Sequence, residues 1–191
     1  LLGSLTLLPI YMQNVLHLSP LSTGLLLLPG GLVMGLLGPV VGRLYDRVGA
    51  RALLVPGTVV TSLALWSSTL FSVDSPAWFV LVFHVLLSVG LAFVFTPLFT
   101  AGLGAVEPKL YSYGSAIFGS TQQLAGAAGV ALLVSLLSVG AARLTAAGAA
   151  AEVATAGGVH VAFLVAAALS LIAIAASFAM RTPASEELAA H

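Results

Sequence analysis

The sequence predicts an all-α integral membrane protein built as a bundle of six transmembrane helices. Three observations lead there. Of 191 residues, 60% are hydrophobic and only 6% are charged, whereas a soluble domain needs about a quarter charged residues to cover its surface. Mean hydropathy is +1.14. The apolar residues form long runs, and a run of about 20 spans the roughly 30 Å hydrocarbon core as a helix.

The six runs fall in order along the chain. The first covers about residues 1–16 and the second 21–41. The third covers 52–71 and the fourth 78–103. The fifth covers 114–139 and the sixth 160–180, leaving 181–191 as a polar tail. The connections hold nearly all the charge: Arg43, Asp46, Arg47 and Arg51 after the second run, Asp74 after the third, Glu107 and Lys109 after the fourth, and Arg143 and Glu152 after the fifth. The Ala/Gly-rich stretch from Gly140 to Gly158 reads as the longest loop, with room for a short helix over 141–154 that Gly148 weakens.

Orientation follows from the cationic loops, because cytoplasmic loops carry the excess of Lys and Arg. Alternate loops lie on opposite sides. One side collects Arg43, Arg47, Arg51, Lys109 and Arg181, and the other only Arg143. The first side is therefore expected in the cytoplasm, together with both ends of the segment.

Pro9, Pro29, Pro39, Pro56 and Pro97 fall inside the runs. Each would break a soluble helix, but membrane helices tolerate proline because neighbouring groups satisfy the freed carbonyls. The glycines of the second and fifth runs give thin faces that let helix backbones approach closely.

The stretch after the second run reads Gly42-Arg43-Leu44-Tyr45-Asp46-Arg47-Val48-Gly49-Ala50-Arg51. Gly42 and Gly49 permit a tight reversal between two helices. Asp46 can accept charge-assisted hydrogen bonds from backbone N–H groups or arginine. The arginines suit an anionic headgroup layer. This G-x-L-x-D-R-x-G-x-R pattern resembles the cytoplasmic loop signature of the major facilitator superfamily, and it stands where that family has it, between the second and third helices of a six-helix half. The resemblance implies a gating loop carried by Gly42, Asp46, Arg47, Gly49 and Arg51. It also implies docking against a partner half that these residues do not include.

Three further stretches are similar to the second half of the fourteen-helix drug:proton antiporters of the EmrB/QacA type: Leu8–Val15 with the run Leu25–Gly30, Thr96–Phe99, and Gly114–Ala116 with Gln122–Ala131. The resemblance covers essentially the whole chain and implies the C-terminal half of an alternating-access exporter. Twelve and fourteen helices both remain open for a complete chain. The start Leu1-Leu2-Gly3, with neither Met nor a basic leader, fits a fragment of a longer protein.

By the same resemblance, runs one, two, four and five would line a substrate cavity, and runs three and six would face lipid. The cavity candidates are Tyr11, Gln13 and Asn14 on the first run, Ser88, Phe95 and Phe99 on the fourth, and Gln122 and Gln123 on the fifth. Tyr11 and Asn14 share a helix face, as do Phe95 and Phe99. An aromatic wall suits a hydrophobic or cationic drug through apolar burial and cation–π contact. Two glutamines facing hydrocarbon would be costly without a partner or a wet cavity. No Asp or Glu falls inside a run, so His84 is the one ionisable candidate for a proton relay, and a coupling carboxylate is expected in the other half.

The partners this reading requires are the lipid bilayer, the other half of the transporter, a small-molecule substrate and protons. Zero net charge gives no footprint for nucleic acid, and the absence of cysteine removes disulfides and thiolate metal sites. No catalytic, metal-binding or cofactor-binding motif is present. Two other classes stay open at this level: a self-assembling six-helix pore or scaffold, and a superfamily importer of another substrate.

Overall fold

The computed structural model describes residues 2–179. The tail over 181–191, with Arg181, lies outside the described residues. Five α-helices follow one another: α1 Leu2–Asn14, α2 Pro20–Ser67, α3 Ala77–Gly104, α4 Tyr111–Ala146 and α5 Ala151–Ala179. Single 3₁₀ turns at Ser68–Leu70 and Pro108–Leu110 close α2 and open α4. Four helical segments, Pro20–Leu70, Ala77–Gly104, Pro108–Ala146 and Ala151–Ala179, are long and apolar enough to cross a membrane.

At 48 residues, a straight α2 would be about 72 Å long at ~1.5 Å per residue, more than twice the hydrocarbon thickness. It is not straight. Gly49 sits at φ 78° and ψ 172° inside it, a backbone region open essentially to glycine alone. The contacts with α3 show what this does. Gly30, before the break, lies against His84 and Ser88, and Gly57, after it, lies against Phe93. On a straight helix those two glycines would stand about 40 Å apart, yet the α3 residues they touch are within a few turns of each other. The chain therefore folds back at Gly49 into two antiparallel arms. Both pack on α3. Gly42, the other glycine of the motif, keeps helical geometry, and a Cβ there would meet nothing within 4 Å. The reversal rests on one glycine, and the first arm runs seven residues beyond the expected end of its apolar run.

The ends are built with little polar help. Ser19 caps α2, its side chain accepting from the Ser22 N–H at 3.1 Å, with Pro20 at the first position, where its missing N–H costs nothing. Gly148, at φ 87°, closes α4: its N–H donates to Thr145 O at 2.9 Å and the Ala149 N–H to Leu144 O at 3.0 Å. This is the glycine-centred pattern that satisfies the last carbonyls of a helix. The stretch expected to be a long loop is thus helix on both sides of one short turn.

The core is an aromatic cluster joining α1, the α2–α3 connection, α3 and α5. Tyr11 stacks on Phe71 at 5.1 Å between ring centres, and Phe71, Phe83 and Phe163 meet edge to face at 5.3 to 6.1 Å. The second arm of α2 is joined to α5 by two buried hydroxyl pairs, Thr58 with Ser177 at 3.2 Å and Ser62 with Ser170 at 2.7 Å. The two serines of the last run therefore turn into the bundle, while Leu169, Leu171, Ile172 and Phe178 on the same helix are exposed. Backbones approach closely where glycine allows it: a Cβ on Gly158 would collide with the Leu137 carbonyl oxygen of α4.

Two elements stay largely uncovered. On the first arm of α2, Leu21, Leu25, Leu28, Leu32 and Leu36 form an exposed stripe at helical spacing. On α4, Leu133 is the one buried residue among those described.

Candidate functional site

The uncovered face of α4 meets the end of α3 along a cleft. Phe95 and Phe99 project from adjacent turns of α3, 6.5 Å apart between ring centres, and Phe99 meets Phe118 of α4 at 4.7 Å. Phe118 can come this close because Gly102 opposes it: a Cβ on Gly102 would stand 2.8 Å from the ring. These rings, with Leu98, Ile117, Thr121, Gln122 and Ala125, line an open apolar pocket of about 280 Å³. It adjoins a second space of about 570 Å³ lined by Leu2, Phe95, Gly119, Gln122, Gln123, Ala125 and Gly126. Phe95, Gln122 and Ala125 border both. The arrangement offers an apolar chamber for a ring or chain and, beside it, amide groups that can both donate and accept hydrogen bonds.

Four of the sequence candidates, Phe95, Phe99, Gln122 and Gln123, therefore come together. The others do not join them. Tyr11 is fully buried in the aromatic core, and its hydroxyl donates to the Ser72 carbonyl. Gln13 is half-buried and Asn14 exposed at the end of α1. Ser88 is buried against Gly30 of α2. His84 is also buried there, 4% exposed, with Nε2 3.1 Å from the Leu27 carbonyl oxygen. Phe118 was missed by sequence reasoning, although it stands four residues before Gln122 and so on the same helix face. Gly102 carried no readable signal, since only the partner ring gives it a role.

At the Gly49 reversal, Arg43, Asp46, Arg47 and Arg51 are all exposed. Among the described residues, Lys109 pairs with Glu107 at 2.7 Å, and His17 Nε2 lies 3.3 Å from the Glu152 carboxylate; no other contact of this kind forms. Asp46 and the arginines around it are free to meet another surface. Arg43 and Arg47, with Val40 and Leu44, line a shallow groove beside the turn.

A helix bundle with apolar outer faces, proline-bearing spans and charge gathered at its reversals is a multi-pass membrane protein. The sequence profile of the Major Facilitator Superfamily matches residues 1–130, and the chain belongs to that family. It is 43% identical over 140 residues to the lincomycin resistance protein LmrB of Listeria innocua, covering 73% of this chain and 30% of that protein. It is 39% identical over 186 residues to an uncharacterized MFS-type transporter, YcnB, of Bacillus subtilis, covering 96% of this chain and 38% of that one. A multidrug resistance protein B homolog of Mycobacterium tuberculosis is 30% identical over 141 residues, covering 72% of this chain and 26% of the relative. The chain thus spans about a third of the length of these relatives.

Proposed function

We propose that this chain is the C-terminal half of a plasma-membrane drug exporter that exchanges substrate for protons by alternating access. Its spans would number six: α1, the two arms of α2, α3, α4 and α5. The Gly49 reversal and both ends of the segment would face the cytoplasm. The observation that carries the reading is the cleft between α3 and α4, where an aromatic chamber adjoins paired glutamines on a face left largely open among the described residues. An N-terminal half closing over α4 and the leucine stripe of α2 would turn that cleft into an enclosed cavity near the bilayer midplane.

The chemistry of the cleft favours amphiphilic drugs with an apolar body and uncharged hydrogen-bonding groups. Rings supply apolar burial and cation–π attraction, and the amides orient polar substituents. The relatives named for lincomycin and multidrug resistance support export of this substrate class. Gly42, Asp46, Arg47, Gly49 and Arg51 would form the cytoplasmic gate brace, with the exposed Asp46 and arginines meeting a helix end of the other half.

The test is transport by the full-length protein in proteoliposomes under an imposed proton gradient, with lincomycin and a lipophilic cation as probes. Gln122→Leu with Gln123→Leu, and separately Phe118→Ala, should raise KM for the probes without loss of folded protein. Unchanged KM and rate for all variants would remove the cleft from the mechanism. Gradient-independent leak of both probes would favour a pore.

A further inference from the structure

His84 is the one ionisable side chain buried within the apolar length of α3, and its surroundings treat its two ring nitrogens differently. Nε2 lies 3.1 Å from the Leu27 carbonyl oxygen on the first arm of α2. A carbonyl only accepts, so Nε2 carries the proton and the neutral ring presents its lone pair at Nδ1. Nδ1 is buried and has no partner among the described residues. Gly30 makes this contact possible: any Cβ there would collide with the imidazole and stand 2.8 Å from Ser88 Oγ. The ring is wedged between the two helices.

We infer that His84 is a proton-sensitive lock between the first arm of α2 and α3. The packed arrangement holds the neutral ring, whose unpartnered acceptor is tolerable. An imidazolium would place a second N–H donor and a full charge in an apolar contact with nothing to receive them. Among the described residues, no nearby charge offsets this. Asp, Glu, Lys and Arg are absent from residues 20–42 of α2 and from all of α3. The neighbouring helices contribute Tyr11, bonded to Ser72, and half-buried His160. Arg51 lies exposed at the far end of the second arm. A proton taken up at Nδ1 therefore requires α2 and α3 to part far enough to hydrate the ring, and its release lets them close. This rests on the exporter reading for its role in the transport cycle, since α3 also carries Phe95 and Phe99 of the cleft. The lock itself does not depend on that reading.

The experiment uses the complete protein in lipid nanodiscs, without drug. Nitroxide pairs at Leu28 and Leu86, both exposed among the described residues, report the α2–α3 separation by dipolar broadening between pH 8 and pH 5. We expect broadening to be lost as pH falls in the parent protein and to stay constant in His84→Gln, which keeps a donor for Leu27 but cannot titrate in this range. The same pH response in His84→Gln, or none in the parent protein, would overturn the lock. Nitrogen-15 spectra of the parent protein's histidines give an arm that needs no folded variant. The Nε2–H tautomer at pH 8, converting to imidazolium on acidification, supports the proposal, and an Nδ1–H tautomer or a ring that never titrates overturns it. If the lock titrates while neither drug probe is transported, the exporter reading fails and the lock stands.

Discussion

Two glycines of one sequence motif should respond in opposite directions to the same substitution. Gly49 holds φ 78° and ψ 172°, and a Cβ in that region costs about 1–3 kcal/mol. At 1.4 kcal/mol per tenfold, Gly49→Ala should shift the folded-to-unfolded ratio by roughly 5- to 150-fold against folding. The loss should concentrate in the two arms of α2, because the strained residue is their only hinge. Gly42 has helical geometry and open space where its Cβ would stand, and alanine in a helix interior gains up to about 1 kcal/mol over glycine. Gly42→Ala should therefore leave stability unchanged or raise it. Denaturant titration of the purified full-length protein in mixed micelles reads both, and hydrogen exchange localises the effect to residues 20–67. Stability matters here apart from transport, since Gly42 is also a candidate for docking the other half. If Gly42→Ala is destabilised as far as Gly49→Ala, or if Gly49→Ala folds as well as the parent, the single-hinge account is wrong.

Other expectations follow from the packing. Gly158→Val should destabilise strongly, because its Cβ faces the Leu137 carbonyl on a neighbouring helix rather than a side chain that can move; loss of the folded fraction on size exclusion checks this. A double-mutant cycle on Ser62→Ala and Ser170→Ala should give a coupling of about 0.6 kcal/mol, as interhelical hydrogen bonds in membranes do; a coupling near zero would mean that the pair adds nothing. Tyr11→Phe should cost about 1 kcal/mol through its lost hydrogen bond to Ser72 while leaving KM for transported drug unchanged, because Tyr11 lies in the core and not in the cleft. Phe99→Ala should weaken drug binding more than Phe99→Leu does, and equal losses would show that ring contacts with Phe118 carry no special weight.

Membrane class and the reversal after the second apolar run were legible in the chain. Composition and run length decide whether a segment prefers lipid, and neither depends on what the segment touches. The motif located the reversal within ten residues, but not at Gly49 rather than Gly42, because a glycine's conformation is set by the arms that α3 holds together. Gly148 was readable as a helix weakness; that it forms a complete stop required the carbonyls of Leu144 and Thr145 to be in place. Family membership was carried by the same short motif, whose charges lie outside the membrane and so keep a pattern that can be recognised.

The faces of the helices were not legible. In a soluble helix a polar stripe marks the outside, but here core, cleft, lipid and partner surfaces are all apolar, so periodicity loses its meaning. Tyr11 was readable as a cavity residue and is packed on Phe71, while the last run was expected to face lipid and yet turns Ser170 and Ser177 onto the second arm of α2. Phe95, Phe99, Gln122 and Gln123 could be named one helix at a time, but their meeting depends on Gly102 admitting Phe118 between α3 and α4. The sequence alone determined that this chain lives in a bilayer and where its main reversal falls, because transfer free energy is a property of each segment by itself. Only the tertiary structure decided which apolar face is core and which lines the cleft, because that choice is made by close packing between helices, to which hydropathy is blind.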